Sequence, residues 1–248
     1  MTTYRTPGVF VEEISKLPPS VAEVETAVPA FIGYTETTMH KGESLKDKPV
    51  RIKSMIDYER YFGGAPTPNE IKVHLTSSND VEDVEIAPRT YLYDSLRTFY
   101  ANGGGKCYIV SVGSFVTTST FSPAKADLKR GVAAIKKLDE PTLIVFPDGV
   151  LLGNADELSE VQQDALTQCG TLGDRFTILD VYNGDKERTF DDTTDVITLF
   201  RSKVGAQNLP YAAAYYPFLK TTLSFHFRNS VVKFCLLYTS PSPRDWTI

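Results

Sequence analysis

The sequence predicts an α/β protein built in three layers, with a mainly parallel sheet covered by helices and an extended β-arm at the N-terminus. Three observations carry this. Between residues 88 and 217, short apolar segments free of charge alternate with segments of helical period. Strands that are apolar throughout are buried on both faces, as in a parallel sheet packed between helices. Near the start, "TPGVFVEEI" (residues 6–14) reads as a strand with no hairpin partner, because "SKLPPSV" follows it.

The N-terminal strand comes first. Pro7 and Gly8 punctuate; Val9, Phe10 and Val11 then run into Glu12, Glu13 and Ile14. Val9 and Val11 face one way and Phe10 and Glu12 the other, which suits a half-buried strand. Its backbone groups need partners. Either it is an edge strand of its own domain, or it pairs with another chain.

"AVPAFIGYTE" (27–36) reads as a short buried strand ending at a turn. "KPVRIKSMIDYERYFGG" (48–64) gives a strand and then a short helix stopped by Gly63 and Gly64. Residues 65–86 are polar and rich in turns. Ile71, Val73 and Leu75 alternate there, and Val81, Val84 and Ile86 follow "TSSND", which predicts a peripheral loop or hairpin.

The regular pattern starts at Pro88, which opens a helix with Leu92, Leu96 and Phe99 as its inner stripe and Gly103 at its end. "KCYIVSV" (106–112) is a strand. Ser122 and Pro123 open a second helix, with Leu128, Val132 and Ile135 inside. "TLIVF" (142–146) is a strand. Asn154 caps a third helix, with Glu157 three residues on and Gly170 closing it. "RFTILDV" (175–181) is a strand, residues 190–205 a crossover helix, and "YAAAYY" (211–216) a fourth strand. These four strands are expected to be mutually parallel.

Composition narrows the class. The 248 residues are 42% hydrophobic and 23% charged, as in soluble globular proteins, and a net charge of −5 argues against nucleic acid as a main partner. Cys107, Cys169 and Cys235 lack metal-ligand spacing and suggest reduced thiols. No apolar run approaches the roughly 20 residues that span a bilayer, and the N-terminus lacks a signal-peptide core. Synthesis and folding in a cytoplasm, without direct membrane insertion, are expected.

Several motifs suggest chemistry and have plainer readings beside them. "NGGGKC" (102–107) is not a phosphate loop: Tyr100 stands where the first glycine is needed, Cys107 replaces Ser/Thr, and a strand follows. A helix C-cap and tight turn explain it. Asp148 in "FPDGV" and Asp180 in "ILDV" fall near the C-terminal ends of parallel strands, where paired carboxylates could hold Mg²⁺ in a hydrolase. The plainer reading is ordinary turn chemistry, and Asp→Asn changes at both are then expected to be innocuous. His40, His74 and His226 are scattered, and "DDTTD" (191–195) is an acidic helix start. No nucleophile, base and orienting group assemble from the sequence, so no catalytic, metal or cofactor residue is expected.

Six stretches, "TYRTPGVFVEEI", "AVPAFIGYTE", "FYANGGGKCYIVSV", "TLIVFPDGV", "FTILDV" and "YAAAYYPFLK", resemble in their order the tail-sheath proteins of contractile injection machines. These include contractile phage tails and phage-tail-like extracellular or antifeeding-type particles. Phe218 stands where that family often has tryptophan. The resemblance implies a non-enzymatic subunit that polymerises with its own kind around an inner tube protein, beside baseplate and terminator or cap proteins. It implies no cofactor, and assembly in a virion tail or a released particle.

The resemblance also assigns Pro7 to Ile14 as an inter-subunit arm that adds a strand to a neighbour. Residues 1–20 are then arm and linker, 21–87 an N-terminal sheath region, and 88–234 an incomplete α/β sheath core. Residues 235–248, "CLLYTSPSPRDWTI", resemble sequencing-adapter read-through. The natural protein is expected to continue past Phe234, so that the C-terminal part of the family fold is missing and this chain alone forms no working sheath.

Overall fold

A computed structural model describes residues 27–67, 70–75, 80–86, 90–116, 121–191, 193–224 and 233–236. In chain order the elements begin with β1 (Pro29–Thr35), β2 (Met39–His40), β3 (Glu43–Ser44), β4 (Pro49–Ile52), α1 (Met55–Phe62), β5 (Glu70–Leu75), β6 (Val81–Ile86) and α2 (Leu92–Ala101). They continue with β7 (Cys107–Ser114), α3 (Lys125–Ala134), β8 (Leu143–Val145), α4 (Ala155–Leu172), β9 (Phe176–Asp180), α5 (Val196–Val204), β10 (Ala212–Tyr215) and β11 (Lys233–Leu236).

Six strands form the main sheet in the order β10-β9-β8-β1-β7-β4. All neighbours are parallel except β4, which runs antiparallel to β7 at one edge. The four strands expected to be parallel are so, and the fold class is the predicted α/β.

β1 shows why the sheet has two covers. All seven of its residues are buried, and alternate side chains point to opposite faces. Ala30, Ile32 and Tyr34 enter the cluster formed with α3, α4 and α5, through Leu128, Val132, Leu158, Val161, Ala165 and Val204. Phe31 enters the other cluster, with Tyr58 and Phe62 of α1 and Leu92 and Leu96 of α2.

The expected division between residues 87 and 88 is not a boundary in this sheet. β1 lies at its centre and β4 at its edge, although both precede residue 88. The reason is physical: β1 is as apolar as the later strands, so a sheet covered on both faces is its cheapest environment. The hairpin expected within 65–86 forms as β5 and β6, which pair antiparallel. β11 pairs parallel with β5 and crosses the expected boundary at 234/235.

Caps set most helix ends. The Ser54 side chain accepts from Asp57 N at 3.2 Å, and Gly63 at φ 85 stops α1. Asn154 Oδ1 accepts from Glu157 N at 2.9 Å. α4 runs past Gly170 and ends at Gly173, whose φ of 73 suits a C-terminal cap. α3 begins at Lys125, not at the expected Ser122–Pro123, because Ala124 is held extended with its N–H on the Tyr34 hydroxyl at 2.8 Å. α5 begins only at Val196, where Asp195 accepts from Thr198 N at 3.0 Å.

One buried cation stitches the layers. Arg175, 4% exposed, donates to Ile135 O at 3.1 Å and Leu138 O at 2.8 Å, and pairs with Asp174 at 2.7 Å. Arg175→Met would take the donor from Leu138 O and one of two donors from Ile135 O, which keeps Leu138 N at 3.1 Å. A loss of about 2 kcal/mol in unfolding free energy is expected by urea denaturation; an unchanged midpoint would show that water replaces the guanidinium without cost.

Candidate functional site

The expected arm residues, Pro7, Gly8, Val9, Phe10, Val11, Glu12, Glu13 and Ile14, lie outside the described residues. Two other places in the fold bear on function: the open edge of the sheet at β10, and the crevice at the C-terminal ends of the strands.

At the edge, β10 pairs with β9 and, among the described residues, with no other strand. An unpaired strand edge is a row of free donors and acceptors that invites another chain. Large side chains are exposed around it: Tyr215 is 64% exposed, Phe190 78% and Leu219 88%. Their support is firm. Phe218 N donates to Gly184 O at 3.0 Å, and a Cβ on Gly184 would come within 2.5 Å of the Phe218 ring. Tyr216 donates its hydroxyl to Lys186 O at 2.6 Å. The Arg188 guanidinium lies 4.4 Å from the Phe190 ring centre and pairs with Asp195 at 2.8 Å, which holds that carboxyl well below the usual carboxylate range. An edge with exposed aromatic and aliphatic groups is a surface suited to association.

At the start of α2 the crevice is filled by the chain itself. α/β folds bind ligands outside the carboxyl ends of strands, often at a helix N-terminus whose N–H groups are free. Here α2 has no capping side chain of its own. The Asp148 carboxylate, fully buried in the turn after β8, takes that place. Its Oδ1 accepts from Tyr91 N at 2.6 Å and Leu92 N at 3.2 Å, and its Oδ2 from Tyr34 N at 2.7 Å. Burial pushes Asp148 up to about 6, against the lowering by these three donors. Both oxygens are thus engaged with backbone.

The reading of Asp148 as simple turn chemistry needs correction: it is a buried link between β1 and α2. Asp180 differs. Burial pushes it up to about 6 as well, and the contact made at that residue is Gln162 Nε2 donating to its main-chain O at 2.7 Å.

The remaining motifs fall apart in space or into structural roles. Asn102 ends α2 and Gly103 turns the chain at φ 83, so "NGGGKC" is a helix stop leading into β7. The Cys107 thiol is buried 3.3 Å from the Tyr100 hydroxyl, and burial pushes it up to about 11; Cys169 is buried and pushed up likewise. His40 lies against the Tyr61 ring, His74 belongs to β5 in the small sheet, and His226 is outside the described residues. Among the described residues no group of three or more His, Cys, Asp or Glu is placed to hold a metal. No helix among them is long and apolar enough to cross a membrane. A cavity of about 100 Å³ between α4, α5 and the turn after β9 is lined by Leu158, Gln162, Tyr182, Lys186, Phe200 and Lys203, of which Lys203 is paired with Asp156.

The fold and these two places define a three-layer α/β protein whose sheet edge at β10 is unpaired among the described residues and whose crevice at the start of α2 is filled by a buried carboxylate. No known protein family matches the chain, and no curated protein does. Among solved structures it is similar to the helical sheath of the anti-feeding prophage (AFP), seen by cryo-EM in the contracted state. The two share 23% identity with a TM-score of 0.46, over 86% of this chain and 46% of that one. The chain therefore spans less than half the length of that sheath protein, and no assignment rests on the likeness.

Proposed function

We propose that the protein is a structural subunit of a contractile sheath, polymerising with copies of itself around an inner tube. The observation that supports this most is the placement of the stretches that resemble sheath proteins. "AVPAFIGYTE" contains β1, "FYANGGGKCYIVSV" leads into β7, "TLIVFPDGV" contains β8 and the Asp148 turn, "FTILDV" is β9 and "YAAAYYPFLK" contains β10. These five strands are neighbours in one sheet. The resemblance therefore falls on a contiguous structural unit and not on scattered matches.

In this reading Pro7 to Ile14 pair with a neighbouring subunit by strand addition. Contraction is a rigid-body repacking of subunits from a metastable packing to a better one. A small gain per subunit, repeated along the polymer, drives the tube, with no nucleotide or cofactor. Baseplate and terminator proteins would bound the polymer, and the particle would form in a bacterial cytoplasm as a tail or a released injection device.

Electron microscopy of three forms tests the proposal: the 248-residue chain, the chain ending at Phe234, and the chain carried past Phe234 into its natural continuation. Regular tubes are expected from the third form alone, and their loss on deleting residues 1–14. A third form that remains a small discrete oligomer at high concentration would overturn the sheath reading.

A further inference from the structure

β8 ends at Val145, whereas its neighbour β1 runs on to Thr35. On the opposite side, the register of β1 with β7 shifts between Gly33 and Tyr34. Tyr34 therefore sits where the ladder fails, and its N–H goes to Asp148 Oδ2 instead of to a strand. The other oxygen, Oδ1, carries both N–H groups of the α2 start. Gly33 permits the approach, since a Cβ there would lie 2.5 Å from Oδ2.

We propose that Asp148 is a proton-operated joint: ionised, it ties β1 to α2, and protonated, it keeps α2 but releases the Tyr34 N–H. The asymmetry between the two oxygens decides which bond breaks. Oδ1 serves two donors and stays an acceptor. A proton taken from solvent adds to Oδ2, which changes from a charged acceptor into a hydroxyl, so the Tyr34 N–H bond loses its charge-assisted strength and is the one that opens. No other bond changes.

The titratable groups around the joint leave this step to Asp148. From β1 comes the Tyr34 phenol, whose hydroxyl donates to Asp127 Oδ2 at 2.9 Å, and from α1 the fully buried Tyr58 phenol. Burial raises both phenols far above neutral pH, with the Asp148 charge adding to it, and Glu36 acts on Tyr58. α4 presents Leu158 against the Asp148 turn, and β9 brings Asp180. Asp148 and Asp180 are each pushed up to about 6, so the joint works in mildly acid solution and Asp180 is the group to control for.

The test is NMR of the 248-residue chain from pH 4 to 7.5, following the Asp148 carboxyl carbon and the Tyr34 amide, in the unaltered chain and in Asp180→Asn. One midpoint near 6 is expected for both signals, with Tyr34 protection against hydrogen exchange falling about tenfold below it and the Tyr91 and Leu92 amides holding theirs. Asp148→Asn, whose Nδ2 is a donor where the carboxylate accepts, should hold Tyr34 in the released state at every pH. If that variant does not fold, the titration of the unaltered chain still decides. A Tyr34 amide whose protection ignores the Asp148 titration, or a carboxyl that stays ionised down to pH 4.5, would overturn the proposal.

Discussion

Asp148→Ala is expected to lose about 3 kcal/mol of unfolding free energy at pH 7. Three backbone donors, on Tyr34, Tyr91 and Leu92, lose their acceptor at a site with no exposure. An unsatisfied buried N–H costs about 1–3 kcal/mol, and the sum is offset in part because a buried charge disappears too. α2 also loses the carboxylate that caps its start, since its own cap residue, Tyr91, gives no side-chain capping hydrogen bond.

The deficit depends on pH in a definite direction. The folded-state value for Asp148 lies above the ordinary 3.8, at about 6, so the folded chain binds the proton more tightly than the unfolded one. The natural protein therefore gains stability from this group as pH falls through 6 toward 4, and loses it as pH rises. The full shift corresponds to about 3 kcal/mol. Asp148→Ala lacks this gain, so the gap between the two proteins should widen from pH 7 to pH 4. Urea denaturation across that range measures it. A gap that narrows toward low pH would mean that Asp148 is stabilised as the anion, contrary to its burial.

How far the sequence reads the molecule depends on the range of the interaction. The strands at 107–114, 143–145 and 176–180 were legible because each carries its burial in its own composition, whereas the equally apolar strand at 212–215 is half-buried to exposed at the edge of the sheet. The cap at Asn154 was legible because a cap acts over three residues. β1 was legible as a buried strand but not as the centre of the sheet, because about seventy residues separate it from β7 and periodicity carries no long-range pairing. The α3 start was misplaced for the same kind of reason: Ala124 is held by the hydroxyl of Tyr34, ninety residues away. Asp148 is the sharpest case. Locally it is an aspartate in "FPDGV", an ordinary turn residue, and only the donors on Tyr34, Tyr91 and Leu92 make it a buried link. The β10 edge followed from the strand order, which no local pattern contains.

Gly131→Val is expected to cost about 3–4 kcal/mol, and Gly131→Ala about 1–2, although both place a better helix former in the middle of α3. On an exposed helix face alanine would add about 1 kcal/mol over glycine. Here the helix lies directly on the centre of the sheet. A Cβ at Gly131 would stand 2.3 Å from Ile32 Cγ2 and 2.6 Å from Val112 Cγ1, and both those side chains are fully buried. Neither can swing into solvent, so α3 must lift or β1 and β7 must shift. Val112→Ala removes one of the two colliding atoms. Combined with Gly131→Ala it should therefore cost less than the sum of the single changes, by about 1 kcal/mol, in a double-mutant cycle read by urea denaturation. Additive losses would show that the helix simply rides outward and that β1 and β7 do not feel it. A coupled loss would show that the seat of α3 on Ile32 and Val112 fixes the same β1–β7 pair whose register shifts at Gly33 and Tyr34, the two residues that meet Asp148.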